Sequence, residues 1–155
     1  MESDVSRGLD HGITCIDAGY ISPWLACFYL LGQDGEYALI ETGTSRSLDN
    51  LETVMRTGGA APEQVRYVMP THVHLDHAGG AGAMMARFPA ARLVIHPRGA
   101  RHMADPRRLV ESAREVYGAA RFRELYGEIT PVPPERMLIV EDGATVELGG
   151  RRLEV

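Results

Sequence analysis

Cysteine is almost missing from this sequence: Cys15 and Cys27 are its only two among 155 residues, and they do not form a Cys-x-x-Cys pair. That argues against a disulfide-stapled scaffold and against a thiolate zinc knuckle, and leaves two reduced core thiols as the expectation. Long apolar runs are missing too. No stretch approaches the roughly 20 residues a helix needs to cross a bilayer. Residues 1–10 are polar and mixed in charge, without the apolar core of a secretory signal. A cytoplasmic location is expected, with no membrane partner. A basic excess is the third absence. Lys and Arg number 16 against 21 Asp and Glu, a formal net charge of −5, so long-range attraction to nucleic acid is not expected. The arginines that follow Arg98 alternate with acidic residues, the pattern of a solvated, salt-bridged helical surface. There is no repeat, no low-complexity tract, and no serine or cysteine in a nucleophile elbow. A chain of this length can bury one real core.

What stands out instead is residues 68–80, Val-Met-Pro-Thr-His-Val-His-Leu-Asp-His-Ala-Gly-Gly. Three histidines and an aspartate, His72, His74, Asp76 and His77, fall within six positions. Imidazole and carboxylate are ligands of the kind Zn²⁺ takes. In an extended loop side chains alternate, so His72, His74 and Asp76 would project to one side. His77 follows Asp76 directly and leaves at another angle, which suits two neighbouring metals better than one. A polar loop that happens to be rich in histidine is the plainer alternative, and four ligand types so close together argue against it.

The order His72-x-His74-x-Asp76-His77, with Thr71 before it and Ala78-Gly79-Gly80 after it, resembles the signature of the metallo-β-lactamase-fold hydrolases. The strand-and-turn Leu39-Ile40-Glu41-Thr42-Gly43 is similar to a second feature of that family. The resemblance implies that His72 and His74 bind a first metal, and that Asp76 and His77 bind a second. It implies zinc, two ions in a complete site, with iron or manganese as alternatives. It further implies cleavage of a small ester, thioester, lactone or lactam by metal-bound hydroxide, with Asp76 orienting or deprotonating the water. His74 resembles the zinc hydrolases rather than the diiron flavoprotein branch. Mononuclear iron relatives that oxidise sulfur compounds and phosphodiesterases that process RNA stay open, the latter unsupported by the charge balance. Two departures matter. The family has Asp where this chain has Glu41, and its remaining ligands come from motifs beyond Val155.

The implied fold is α/β: a four-layer αββα sandwich of which residues 1–155 would form the N-terminal portion, a mixed sheet with helices on its outer face, in a single, truncated domain. The residue pattern agrees. Strands are expected over residues 13–17, 26–31 and 37–41 as an antiparallel meander, with a hairpin turn at Asp34-Gly35. The unbroken apolar run 37–40 suggests a strand covered on both faces. Leu48, Leu51, Val54 and Met55 recur at helical spacing until Gly58-Gly59. A strand over 65–69 then leads into the His loop, the carboxyl end where α/β sites lie. A helix over 78–88, a strand over 92–96, helices broken near Asp105-Pro106 and Gly118, and strands over 137–140, 145–148 and 151–155 complete the order. The helix after the loop would offer its N-terminus to an anion.

Other candidates are weaker. Glu41, at a strand end beside the loop, would accept a hydrogen bond from a ligand imidazole and fix its tautomer, acting behind the metal ligands. Tyr20 and Trp24, with Ile21, form either an apolar floor for substrate or simple hairpin packing. His96 ends a strand, His102 lies in an Arg-rich helix and His11 in a frayed terminus, so none is expected to touch metal. A competing expectation is a non-catalytic, incomplete fold that binds metal weakly, because two histidines fall short of the three protein ligands usual for catalytic zinc. Uncovered sheet would then favour a homo-oligomer.

Overall fold

The computed structural model describes residues 4–155. Seven strands lie side by side in chain order: β1 (Ser6–Gly8), β2 (Ile13–Asp17), β3 (Cys27–Gln33), β4 (Glu36–Ile40), β5 (Val65–Met69), β6 (Arg92–Ile95) and β7 (Met137–Ile139). β1 to β4 pair antiparallel, and β4 to β7 pair parallel. The β3–β4 hairpin turns on Asp34 and Gly35, both at positive φ (48° and 81°), as a tight turn requires.

Parallel neighbours cannot be joined by a tight turn, so each connection must carry the chain back over one face. Here every such connection is helical. α1 (Leu48–Gly58) joins β4 to β5, and α2 (Leu75–Ala78) and α3 (Ala81–Arg87) join β5 to β6. α4 (Pro97–Ala104), α5 (Arg107–Tyr117) and α6 (Ala119–Tyr126) join β6 to β7. α1 follows the sequence pattern: Leu51 and Met55 are buried, Leu48 and Val54 pack beside them, and Gly59 closes the helix in the left-handed region at φ 72°. Its entry is a 3-10 turn, Ser45–Ser47, whose first backbone groups are satisfied by the Thr44 and Ser47 hydroxyls.

The helices cover one face of the sheet, and Phe28, Leu39, Leu51, Val65, Val68, Met84, Phe88 and Leu93 close that core. The opposite face receives a separate hairpin, β8 (Thr145–Leu148) and β9 (Arg151–Glu154), which sets Val146 and Leu148 against Leu31, Ala38, Met69 and Val94. β4 is therefore covered on both sides: Leu39 faces the helices and Ala38 the hairpin. The mixed sheet with helices on its outer face is the expected α/β architecture.

Several local expectations are corrected. Near the N-terminus, Ser6–Gly8 is not frayed but pairs with β2. The strand beginning at Met137 does not form a hairpin with β8; it pairs parallel with β6 in the large sheet. β9 pairs antiparallel with β8, the strand that precedes it. The helix expected over 78–88 is divided at Gly79-Gly80. A Cβ on Gly80 would stand 2.6 Å from the Thr44 carbonyl oxygen, so only glycine lets the β4–α1 loop pass this close.

Candidate metal centre

β4 and β5 are parallel neighbours in register at Ile40 and Met69, so the segments leaving their carboxyl ends emerge together. The first turns sharply. Glu41 takes φ 66°, unusual for a residue with a side chain, while its N–H still bonds the Met69 carbonyl at 3.1 Å. Thr42 then ties the two segments together. Its N–H donates to the His77 carbonyl at 2.8 Å, its hydroxyl donates to the same oxygen at 2.8 Å, and it accepts from the Gly80 N–H at 3.1 Å. That last bond engages Gly80, the residue leading into α3.

The turn at Glu41 leaves that residue only 6% exposed, beneath the His loop. One oxygen accepts the Thr71 backbone N–H and the other meets His77 Nδ1. A carboxylate only accepts, so Nδ1 of His77 is assigned the hydrogen and Nε2 presents its lone pair. Above this pair the rings gather. The His72 ring lies 4.3 Å from that of His77, tilted by 44°, and 4.9 Å from that of His74, nearly edge-on at 76°. The Thr71 hydroxyl holds His72 Nδ1 at 2.9 Å. Asp76 Oδ2 lies 3.4 Å from His77 Nε2. All four motif residues thus share one small region.

They do not reach it by alternation along an extended loop. His74 caps α2, a single helical turn that carries Asp76 in its first part and His77 near its end. Leu75, between them, is buried against Phe122, Leu125 and Tyr126. That apolar anchor lets the polar residues on either side stay accessible. Among the described residues, one group of three or more His, Cys, Asp or Glu offers donor atoms within 4.8 Å of one another: Glu41, His72 and His77. His74 and Asp76 lie beside that group, outside its tightest set.

The remaining candidates sit elsewhere. His96 caps α4, its Nδ1 accepting the Arg98 N–H at 3.2 Å. His102 borders a surface groove with Arg101, Asp105, Arg107 and Arg108. The His11 carbonyl receives Arg151. Tyr20 stacks on Tyr126 at 5.8 Å and packs against the cluster of Leu75, Phe122, Leu125 and Tyr126, whereas Trp24 lies under the Arg7 guanidinium at 4.1 Å. Burial, reinforced by Cys15, pushes the Cys27 thiol up to about 11, so it is no thiolate nucleophile at neutral pH. Thr42 and Thr71, which hold the centre together, were quoted within the two motifs but given no role from sequence. Their signal was adjacency: each hydroxyl residue stands next to a ligand-bearing or turn residue.

An open groove of about 520 Å³ adjoins Thr71 on the hairpin side of the sheet, floored by Ile40, Met69 and Val94 and rimmed by Glu141, Asp142 and Glu154.

Residues 25–155 match the family model described as the metallo-beta-lactamase superfamily. The chain belongs to that superfamily. Among solved structures, it is similar to a metallo-beta-lactamase from Cronobacter sakazakii, with 21% identity, TM-score 0.68, and coverage of 97% of this chain and 53% of that one. The native FEZ-1 metallo-beta-lactamase from Legionella gormanii aligns at 17% identity and TM-score 0.64, over 92% of this chain and 48% of that one. At such identities the likeness shows the fold. A curated N-acyl homoserine lactonase from Bacillus cereus is 29% identical over 93 residues, 60% of this chain and 29% of the lactonase. The chain spans about half the length of these structures and under a third of the lactonase. No helix among the described residues is long and apolar enough to cross a membrane.

Proposed function

We propose that this chain carries the metal-holding residues of a metal-dependent hydrolase acting on a small acyl compound, an ester, thioester, lactone or lactam. The observation that carries the reading is the gathering of three imidazoles and two carboxylates at adjoining strand ends. The donor set fits a divalent cation: neutral imidazoles and carboxylate oxygens suit zinc, and also iron or manganese. His72 and His74 would hold one ion, and Asp76 and His77 a second. An ion so held supplies Lewis acidity toward a carbonyl and lowers the pKa of water.

The chain's own residues do the rest. Glu41 keeps the hydrogen of His77 on Nδ1, which leaves Nε2 as the coordinating atom. Thr71 orients His72 through its hydroxyl. Asp76, partly exposed beside His77, accepts a proton from the attacking water at a carboxylate oxygen. Tyr20, which packs against the cluster that anchors Leu75, and Trp24 would supply an apolar wall for a substrate group. The names of the similar proteins, a lactonase and β-lactamases, support a cyclic acyl substrate.

Elemental analysis tests the metal assignment. The double variant His72→Ala, His74→Ala is expected to lose tight zinc uptake, and His102→Ala to keep it. Equal zinc content in the double variant and the parent would overturn the reading. A lactone-hydrolysis assay on zinc-loaded protein tests Asp76. Its replacement by alanine should cost on the order of 100-fold in turnover, and unchanged turnover would remove Asp76 from the chemistry.

A further inference from the structure

We infer that the hydroxyls of Tyr20, Tyr117 and Tyr126 form a hydrogen-bonding subsite beside the His loop, which takes an acceptor oxygen, carbonyl or carboxylate, borne on an apolar chain. The inference rests on the reading that the protein acts on a small acyl compound, and it narrows that class: the substrate carries a second acceptor, away from the bond that is cleaved.

Three separate segments bring these rings together. Tyr20 comes from the connection between β2 and β3, Tyr117 ends α5 and Tyr126 ends α6. Tyr126 is the hub, at 6% exposure. Tyr20 stacks on it at 5.8 Å, and Tyr117 meets it edge-on at 6.1 Å. Its ring shares a cluster with Leu75, the residue between His74 and Asp76. Its carbonyl accepts the Ser45 hydroxyl at 2.8 Å, in the segment that continues from Glu41. The trio is thus tied to both segments that build the metal centre.

The hydroxyls of Tyr20 and Tyr126 lie 3.2 Å apart, and Tyr117 hydrogen-bonds with Tyr126 as well. Burial, reinforced by Tyr20 and then Tyr117, pushes the Tyr126 phenol up, so it keeps its hydrogen at neutral pH. Three hydroxyls carry three hydrogens, and their two mutual bonds use two of them. One O–H is left to donate outward, strengthened by the bonds behind it. Tyr126 is enclosed, so that donor falls at an end of the row, on half-buried Tyr20 or on Tyr117, which is 45% exposed. Arg114 lies over the Phe122 ring at 5.2 Å, and Phe122 packs on Tyr126. That nearby positive charge favours an acceptor oxygen over an ammonium group. Exposed Ile21, next to Tyr20, and Val116, next to Tyr117, offer surface to a hydrocarbon chain.

Octanoate is the probe, followed by isothermal titration calorimetry. It is titrated into the zinc-loaded parent and into the His72→Ala, His74→Ala double variant, where the metal no longer competes for the carboxylate. We expect binding to both. Tyr117→Phe and Tyr126→Phe, each added to the double variant, should raise Kd about tenfold, as loss of a hydrogen bond to a charged group does. Tyr117→Phe removes a single oxygen at an exposed ring, so it decides the matter even if Tyr126→Phe disturbs the α5–α6 corner. Octylammonium, with the same chain and no acceptor, should bind at least about tenfold more weakly than octanoate. If Tyr117→Phe leaves Kd unchanged, the rings are an apolar wall and the inference fails. If octanoate binds the zinc-loaded parent and not the double variant, its carboxylate goes to the metal, so the inference fails while the proposed function survives. If the double variant binds octanoate with the expected loss in Tyr117→Phe, but the zinc-loaded parent opens no lactone, the subsite stands and the hydrolase reading falls.

Discussion

The two faces of the seven-stranded sheet are finished to different degrees. On the helical face Phe28, Leu39, Leu51, Val65, Val68, Met84 and Leu93 are all fully buried. On the opposite face Val146 and Leu148 seal a smaller cluster, while Ile13, Ile40, Tyr67, Leu138, Val140 and Leu153 around it are only partly covered. The difference follows from connectivity. Parallel pairing of β4 to β7 obliges the chain to send helices over one side, and those helices close it. Nothing in the connections obliges cover on the other side, which is closed only as far as one hairpin reaches. The His loop lies at the strand ends, pinned by Leu75 to the helical layer and open, through Thr71, to the groove on the hairpin side. Rigidity comes from one face and access from the other.

This asymmetry has an energetic counterpart. Phe88→Ala, at 1% exposure in the helical core, should cost about 3 to 5 kcal/mol in urea denaturation, transfer and cavity terms together. Leu148→Ala removes a side chain that is just as buried, but its surroundings are partly exposed and can collapse or admit water. Its cost should fall near the lower end for such truncations, about 2 kcal/mol. If Leu148→Ala proved the more costly, the hairpin layer would be the structural centre and the comparison would be inverted.

A smaller effect is expected where the two regions meet. Gly43 takes φ 61°, and a Cβ there would lie 2.2 Å from Ser47 Oγ, the atom that donates to the Ala18 carbonyl at 2.6 Å. Gly43→Ala should cost roughly 1 to 2 kcal/mol in left-handed strain, with some further loss if the Ser47 bond breaks. It should also disturb the His77 tether, since Gly43 bridges Ala78. A shift of the His77 ring resonances with little change in those of buried residues on the hairpin side would confine the damage to the junction. Equal shifts on both sides would mean that the sheet transmits strain and that the faces are not independent.

Much of this was legible in the sequence where a feature is local. The motif from His72 to His77 could be read because ligands within six positions must share a neighbourhood whatever the fold. α1 could be read because its apolar residues, Leu48 to Met55, recur at helical spacing over about two turns. Glu41 was legible only as a strand end, since its contact with His77 spans 36 residues and depends on the pairing of β4 with β5. The turn that places Asp76 was missed because four residues carry too little periodicity to announce a helix, and Leu75 is anchored by residues nearly fifty positions away. β1 was missed for a related reason: Ser6-Arg7-Gly8 has no strand preference of its own and is extended because β2 offers it an edge. Asp142-Gly143 suggested a hairpin between β7 and β8, but β7 was claimed by β6 across three intervening helices.

The outer surface of the helical layer should matter least of all, and Asp105 measures it. Between α4 and α5, its Oδ1 accepts the Arg107 Nε–H at 2.7 Å and the Arg107 N–H at 3.3 Å. The Arg107 guanidinium holds the carboxyl down at about 2, below its ordinary 3.8. Because the folded value lies below the unfolded one, the pair stabilises the fold at pH above the ordinary value, and that contribution is lost as pH falls through about 2. Both side chains are largely in water, where salt screens them and such pairs contribute little. Asp105→Asn should therefore lower the thermal midpoint slightly at pH 6 in low salt, with the difference shrinking between pH 4 and pH 2 and vanishing in 1 M salt. An Asp105 carboxyl titration midpoint near 4, followed by carbon NMR, would show that the ion pair does not persist in solution. A large salt-insensitive loss in Asp105→Asn would show instead that the junction of α4 and α5 helps hold the helical layer on the sheet.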